Sequence, residues 1–263
     1  MIVLHTVLPH DLEYAELIPI GDTHVEDELF DEAALRKTIA YILAAPNRYT
    51  VLNGDLINNA LKNSKSDIYT STRTPLAAAK YIADLLRPLV ENKRILGMTT
   101  GNHEERTTRD TSFDPSEWIA MDLGIIDRYV RGPYILFISL GTSEHSRPGR
   151  TKRIVYSFYI HHGFGGGKKQ GSKLNNVISM NNVVDADIYV MSHLHDPAST
   201  KIDFFRLDYQ NQSCSQHTRG YLLTNACLKY GGYAQDKGYT AATVNISKCT
   251  LNGQGKKGFT ITI

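Results

Sequence analysis

Six of the ten histidines fall in four short segments, each at the end of an apolar run: Gly-Asp-Thr-His (21–24), Gly-Asn-His-Glu (101–104), His-His-Gly (161–163) and Ser-His-Leu-His (192–195). A fifth segment, Asn-Gly-Asp-Leu-Ile-Asn (53–58), adds a carboxylate after a strand-like run. Imidazole nitrogens and carboxylate or amide oxygens are donors that borderline divalent metals favour. Grouped with Asp22, Asp55 and Asn102, these histidines point to one metal site assembled from distant parts of the chain.

The spacing carries a geometric expectation. In an extended segment, residues two apart point to the same side. Asp22 with His24, and His193 with His195, could then each face one centre. Two cations held a few ångströms apart need a bridging carboxylate, for which Asp55 is the candidate. Such pairs activate water and neutralise charge on substrate oxygens. Asn102 would add a neutral oxygen donor, limiting the negative charge in a site that must accept an anion.

The elements around these segments fit that placement. Residues 16–20, 49–53 and 94–98 are short apolar runs ending at Gly or polar residues, as buried strands do. A helix is expected from the cap Asp31, with Leu35, Ile39, Ile42 and Leu43 on one face. A second should start at Thr74-Pro75, carry Leu76, Ala79, Ile82, Ala83 and Leu86, and stop at Pro88. This β-α-β-α-β order predicts a parallel sheet, whose ligand sites lie beyond the carboxyl ends of the strands. Residues 134–140 and 153–160 read as antiparallel neighbours, 172–184 as a helix and 187–191 as a buried strand. From about 201 onward the chain reads as mostly β, including 201–209 and 239–247. No repeat or linker divides residues 1–263, so one α/β domain is expected.

The chain has 263 residues, 41% of them hydrophobic and 21% charged, an ordinary globular composition. Lys and Arg number 29 against 27 Asp and Glu, so no general field draws the protein to nucleic acid or anionic lipid. No signal-peptide pattern opens the sequence and no run of about 20 apolar residues occurs. Three cysteines without CxxC spacing read as reduced thiols. A cytoplasmic protein without a membrane partner is expected.

The ordered set D-x-H, G-D, G-N-H-E, H-G and H-x-H, spanning residues 21–195, resembles the calcineurin-like metallophosphoesterases. Residues 161–176 and 185–196 are also similar to a bacterial and phage-type branch of that family. The resemblance implies a four-layer αββα sandwich with two mixed β-sheets and a metal site at the C-terminal strand edges. It implies one divalent ion bound by Asp22, His24, Asp55 and His195, and a second by Asp55, Asn102, His162 and His193. Mn²⁺ comes first as their identity, with Fe or Zn²⁺ as alternatives. His103 would be unmetallated and would protonate the leaving group or stabilise the transition state. A metal-bridging hydroxide would attack a phosphate ester in line. A diester is favoured, with a nucleotide or nucleic acid among the candidates; a phosphomonoesterase, a protein phosphatase and a non-catalytic binding protein are the alternatives.

Two positions depart from the family pattern. Ser192 stands where glycine usually precedes the last H-x-H, and Asn58 stands where G-D-x-x-D has a second aspartate, which could weaken support for His24 or another ligand; tuning rather than loss of the site is expected. His161 is expected to face away from its neighbour His162, and His5, His10, His145 and His217 have no motif around them. Gly165-Gly166-Gly167 with Lys168-Lys169 reads either as a phosphate-binding loop or as a solvated one. Arg147, Arg150, Lys152 and Arg153 read as an exposed connection. Glu104 could orient a ligand, Arg106 could reach a phosphate or pair with a carboxylate, and 227–239 could pack as a core strand or wall a pocket.

Overall fold

The computed structural model describes residues 1–62, 64, 68–236, 238, 241 and 244–263. The chain runs through β1 (Ile2–Val7), β2 (Tyr14–Leu17), α1 (Glu32–Leu43), β3 (Arg48–Asn53), α2 (Pro75–Glu91), β4 (Ile95–Thr99), α3 (Asn102–Thr111), α4 (Pro115–Asp122) and β5 (Tyr129–Val130). It continues through β6 (Tyr134–Leu140), β7 (Thr142–Ser143), β8 (Ile154–His161), α5 (Gln170–Ser179), β9 (Ile188–Met191), β10 (Ala198–Asp208) and β11 (Ser213–Leu223). The last elements are α6 (Gly232–Asp236), β12 (Lys248–Asn252), β13 (Gln254–Gly255) and β14 (Phe259–Thr262).

Two mixed six-stranded sheets result, in the orders β1-β6-β8-β9-β11-β10 and β14-β12-β2-β3-β4-β5. Period-two alternation assigns the two faces of each central strand to different cores. Tyr49, Val51 and Leu96 meet Tyr134, Leu136, Phe158, Ile160, Ile188 and Val190 between the sheets. Leu52, Ile95 and Met98 point outward to α1, α2 and α4. Tyr159, Tyr189, Met191 and Tyr221 point outward to α5. The layers are therefore helix, sheet, sheet, helix, as the sequence motifs implied. Each fully buried aliphatic side chain contributes about 1.5–3 kcal/mol.

Strands β2, β3 and β4 are mutually parallel, as are β8, β9 and β11. Their carboxyl ends share one edge of the sandwich, where Asn53 at the end of β3 donates to His161 O at the end of β8 and to Ser192 Oγ just after β9. Asp31 and Thr74 cap α1 and α2 as expected, accepting from Ala34 and Ala77 N–H. Pro88 does not end α2, which continues to Glu91. Proline withholds one backbone donor there, but Leu86 and Leu89 are fully buried, and Asn92 donates to the Pro88 carbonyl through both its backbone and its side chain. Leu76 is exposed rather than part of the helix face. Helix α5 is shorter than expected, and a 3₁₀ turn (Met180–Asn182) follows it. In the strand expected over 239–247, residues 239, 240, 242 and 243 lie outside the described residues, and the described remainder is not strand. Among the described residues no helix is long and apolar enough to cross a membrane.

Candidate metal centre

The donors sit on the loops that leave β2, β3, β8 and β9 and, after β4, on the first turn of α3. Asp22, His24 and His195 form one group whose ligand atoms lie within 4.8 Å of one another; Asp55, His162 and His193 form another, and His24, Asp55 and His103 a third. Asp55 Oδ2 is 3.2 Å from His162 Nε2, 3.8 Å from His103 Nε2 and 3.9 Å from His24 Nε2. Asn102 Oδ1 lies 3.0 Å from His162 Nε2. All eight residues singled out in the sequence are thus brought together.

The D-x-H and H-x-H segments are not extended. Asp22, His24, Asp55, His193 and His195 have φ of 49°, 45°, 49°, 71° and 52°. Left-handed backbone curls each pair around the centre, where a flat strand would have aimed it from one side. Such residues cost about 1–3 kcal/mol each and persist only where surrounding contacts over-determine them. Asp22 N donates to Gly54 O, His24 N to Asp55 O, and Cys227 N to Asp22 O. His193 N donates to Asp22 Oδ2 at 2.8 Å.

Glu104 is the main clasp and not itself a donor to the cluster. Fully buried at the first turn of α3, it accepts the N–H groups of Asp55 (3.1 Å), Leu56 (2.6 Å), Ile57 (3.1 Å) and Gly101 (3.1 Å). The last bond caps the helix. A side chain at Gly101 would overlap Asp55, so the loop needs glycine there. Burial and the Asp55 charge push Glu104 up to about 7, against N–H donors that favour its carboxylate.

Three further contacts were not legible in the sequence. Ser192 Oγ accepts from Asn53 Nδ2 (2.7 Å) and Thr224 Oγ1 (2.8 Å), joining the two sheets beneath the centre. A hydroxyl network therefore fills the place of the usual glycine. Buried Glu26 accepts from Asn58 and Asn59 N–H. Lys173 pairs with Asp196, the residue after His195.

Asn58 supports His103 rather than His24: its carbonyl faces His103 Nδ1 at 2.7 Å. Its side chain donates to Asp27 Oδ2. His161 turns away, its ring edge-on to Phe164 and Tyr159 and its Nδ1 accepting from Gly163 N. Arg106 is half-buried one turn after His103, and burial lowers its pKa against the charges of Asp55 and Glu104. Lys168 and Lys169 are exposed, as are Arg147, Arg150, Lys152 and Arg153, which precede β8 and so lie at its far end from the centre. Segment 227–239 adjoins Asp22 through Cys227, and its described residues form no strand; residues 237 and 239 lie outside the described residues.

Burial opposes charge on His162, yet the adjacent Asp55 carboxylate pushes it up to about 10. Burial likewise opposes ionised Asp55, yet His162 and His103 hold it well below the usual carboxylate range. Burial and His103 drive His24 well down. Asp22 Oδ1 and His24 Nδ1 are buried without a hydrogen-bond partner, and His24 Nε2 and His195 Nε2 face each other at 3.2 Å. Asp22 Oδ1 also lies 3.5 Å from His195 Nε2, and a carboxylate oxygen beside opposed imidazole nitrogens is a donor set that divalent cations fit, releasing protons as they bind.

The sequence profile of the calcineurin-like phosphoesterases matches residues 17–197. No curated protein matches the chain in sequence. Among solved structures, GAP50, the anchor in the inner membrane complex of Plasmodium, is similar in fold, with a TM-score of 0.53 and 9% identity over 94% of this chain and 84% of that one. A conserved uncharacterised protein of Streptococcus pneumoniae, described as a predicted phosphoesterase, aligns over 91% of this chain and 83% of its own at 11% identity and a TM-score of 0.35.

Proposed function

The chain belongs to the calcineurin-like phosphoesterases, and from that premise we propose that it is a dinuclear metal-dependent phosphodiesterase. Asp22, His24, Asp55 and His195 would hold one cation, and Asp55, Asn102, His162 and His193 the other. The observation that carries this reading is Asp55 Oδ2, set within 4 Å of imidazole nitrogens from two loops and the first turn of α3. Bound cations of this kind supply Lewis acidity, acidifying water and drawing charge from phosphoryl oxygens. Two carboxylates among seven donors leave the loaded centre positive, which suits an anionic substrate. Mn²⁺ is the proposed metal, and the cytoplasm, where the three free cysteines stay reduced, the proposed compartment.

His103 has a separate task. The Asn58 carbonyl can only accept, so His103 Nδ1 carries the hydrogen between them. Nε2 is thereby directed into the centre, and the imidazolium form, with hydrogens on both ring nitrogens, would give its Nε2 proton to the leaving oxygen and revert to the neutral ring. Burial lowers its pKa while the Asp55 charge opposes that effect. The side chain of His195 is 36% exposed, so the centre opens to solvent on that side. A binding protein on this fold would not need His103 beside a full donor set.

The test is to strip the protein of metal, reload it with Mn²⁺, and compare bis(4-nitrophenyl) phosphate with 4-nitrophenyl phosphate. Metal-dependent turnover with diester preference is expected. A clear monoester preference would replace the diesterase by a monoesterase, and no turnover of either would remove catalysis from the proposal.

A further inference from the structure

Helix α5 breaks its own pattern at one position. Its buried residues are Val177 and, one turn earlier on the same face, Lys173. An apolar residue is expected there. Lys173 is 3% exposed and Asp196 5%, and their charged atoms meet at 3.1 Å. A buried ammonium is costly unless paired and hydrogen-bonded, so a chain that keeps one breaks a local rule, as happens at functional sites.

The second contact of that ammonium suggests the reason. Lys173 Nζ donates to Leu194 O at 3.3 Å, the carbonyl of the residue between His193 and His195. Both histidines are left-handed, and Leu194 N donates to Ser192 O at 2.8 Å, so the turn is tight. Gln170, from the same helix, donates to Pro197 O at 3.1 Å. Helix α5 thus grips residues 194–197 from outside the sheet, while Asp22 Oδ2 holds His193 N from within.

We propose that Lys173 is a positioning residue for the metal centre, its ammonium fixing the peptide between His193 and His195 so that both imidazoles face the cations. The inference rests on the metal-centre reading above. Lys173→Met alone would strand buried Asp196, so the test replaces the pair. Lys173→Met/Asp196→Leu removes both charges, a change that buried pairs tolerate. The milder Lys173→Gln/Asp196→Asn keeps a donor toward Leu194 O.

Each stripped protein is titrated with Mn²⁺ alone by calorimetry, and its Co²⁺-loaded form is examined by visible absorption. The apolar pair should fold, bind Mn²⁺ about 10–100-fold more weakly and show altered Co²⁺ bands, whereas the milder pair should lose less than about threefold. Ile39→Val, in the opposite helical layer, should change neither readout. Unaltered Mn²⁺ affinity and Co²⁺ bands in the apolar pair, or equal losses in both pairs, would overturn the role of Lys173. If the unaltered chain binds no Mn²⁺, the metal-centre reading fails first and this inference falls with it.

Discussion

One carboxylate oxygen of Asp22 accepts the backbone N–H of His193 at 2.8 Å, while the other, buried, has no hydrogen-bond partner. The first oxygen ties the loop after β2 to the loop after β9, and the second lies 3.5 Å from His195 Nε2, where the proposed function has it bind a cation. Asp22→Asn keeps an oxygen for the His193 N–H but removes the charge. It should fold normally and bind Mn²⁺ at least about tenfold more weakly. Metal analysis after dialysis checks this, and wild-type metal retention would count against Asp22 as a ligand.

His103→Ala should keep its metal and lose activity. Proton transfer by a positioned side chain is worth about 10²–10⁴-fold. The loss should be largest for an alkyl leaving group and smaller for nitrophenolate, which departs without a proton. Full activity toward an alkyl ester in a metal-verified His103→Ala protein would remove the assigned role.

Glu104→Gln should destabilise the fold and loosen Asp55 together. Both oxygens of Glu104 are occupied by backbone N–H donors, two each, and glutamine would turn an NH₂ group toward one pair. The expected cost is about 1–3 kcal/mol, read from denaturant unfolding. An unchanged midpoint would mean that the clasp contributes nothing.

Much of this centre was legible because its donors sit where strands end. Runs 49–53 and 94–98 predict β3 and β4, and Asp55 and Asn102 follow them directly. Helix α3 was not legible, since its buried residues are Glu104 and Thr108 and no apolar period marks it. The contacts that hold the donors are also silent in sequence. Asn53 meets Ser192 across 139 residues, and Leu56 meets Glu104 across 48, with no local pattern to announce either. The D-x-H spacing pointed to the right residues for a reason the structure replaces, because left-handed turns aim them and not an extended strand.

Acid stability should depend on Glu16, far from the centre. Burial opposes its charge, but hydrogen bonds from Lys248, Tyr41 and Arg48 outweigh burial and lower its pKa. A carboxyl held lower in the folded state than in the unfolded state adds stability that is complete above its unfolded value, about 4.3. That stability is lost as pH falls through the lower folded value. Glu16→Gln should therefore reduce stability at neutral pH and flatten the fall below about pH 4.3. Parallel curves for the two proteins across that range would show that the network carries no such linkage.

The central claim is that Asp55 joins two cations into one hydrolytic centre. Its most direct test is the metal content and diester hydrolysis of Asp55→Asn beside the unaltered chain after Mn²⁺ loading. The account predicts two Mn²⁺ per unaltered chain, and a folded variant that loses both and hydrolyses nothing. A variant that keeps two Mn²⁺ and full turnover would contradict it.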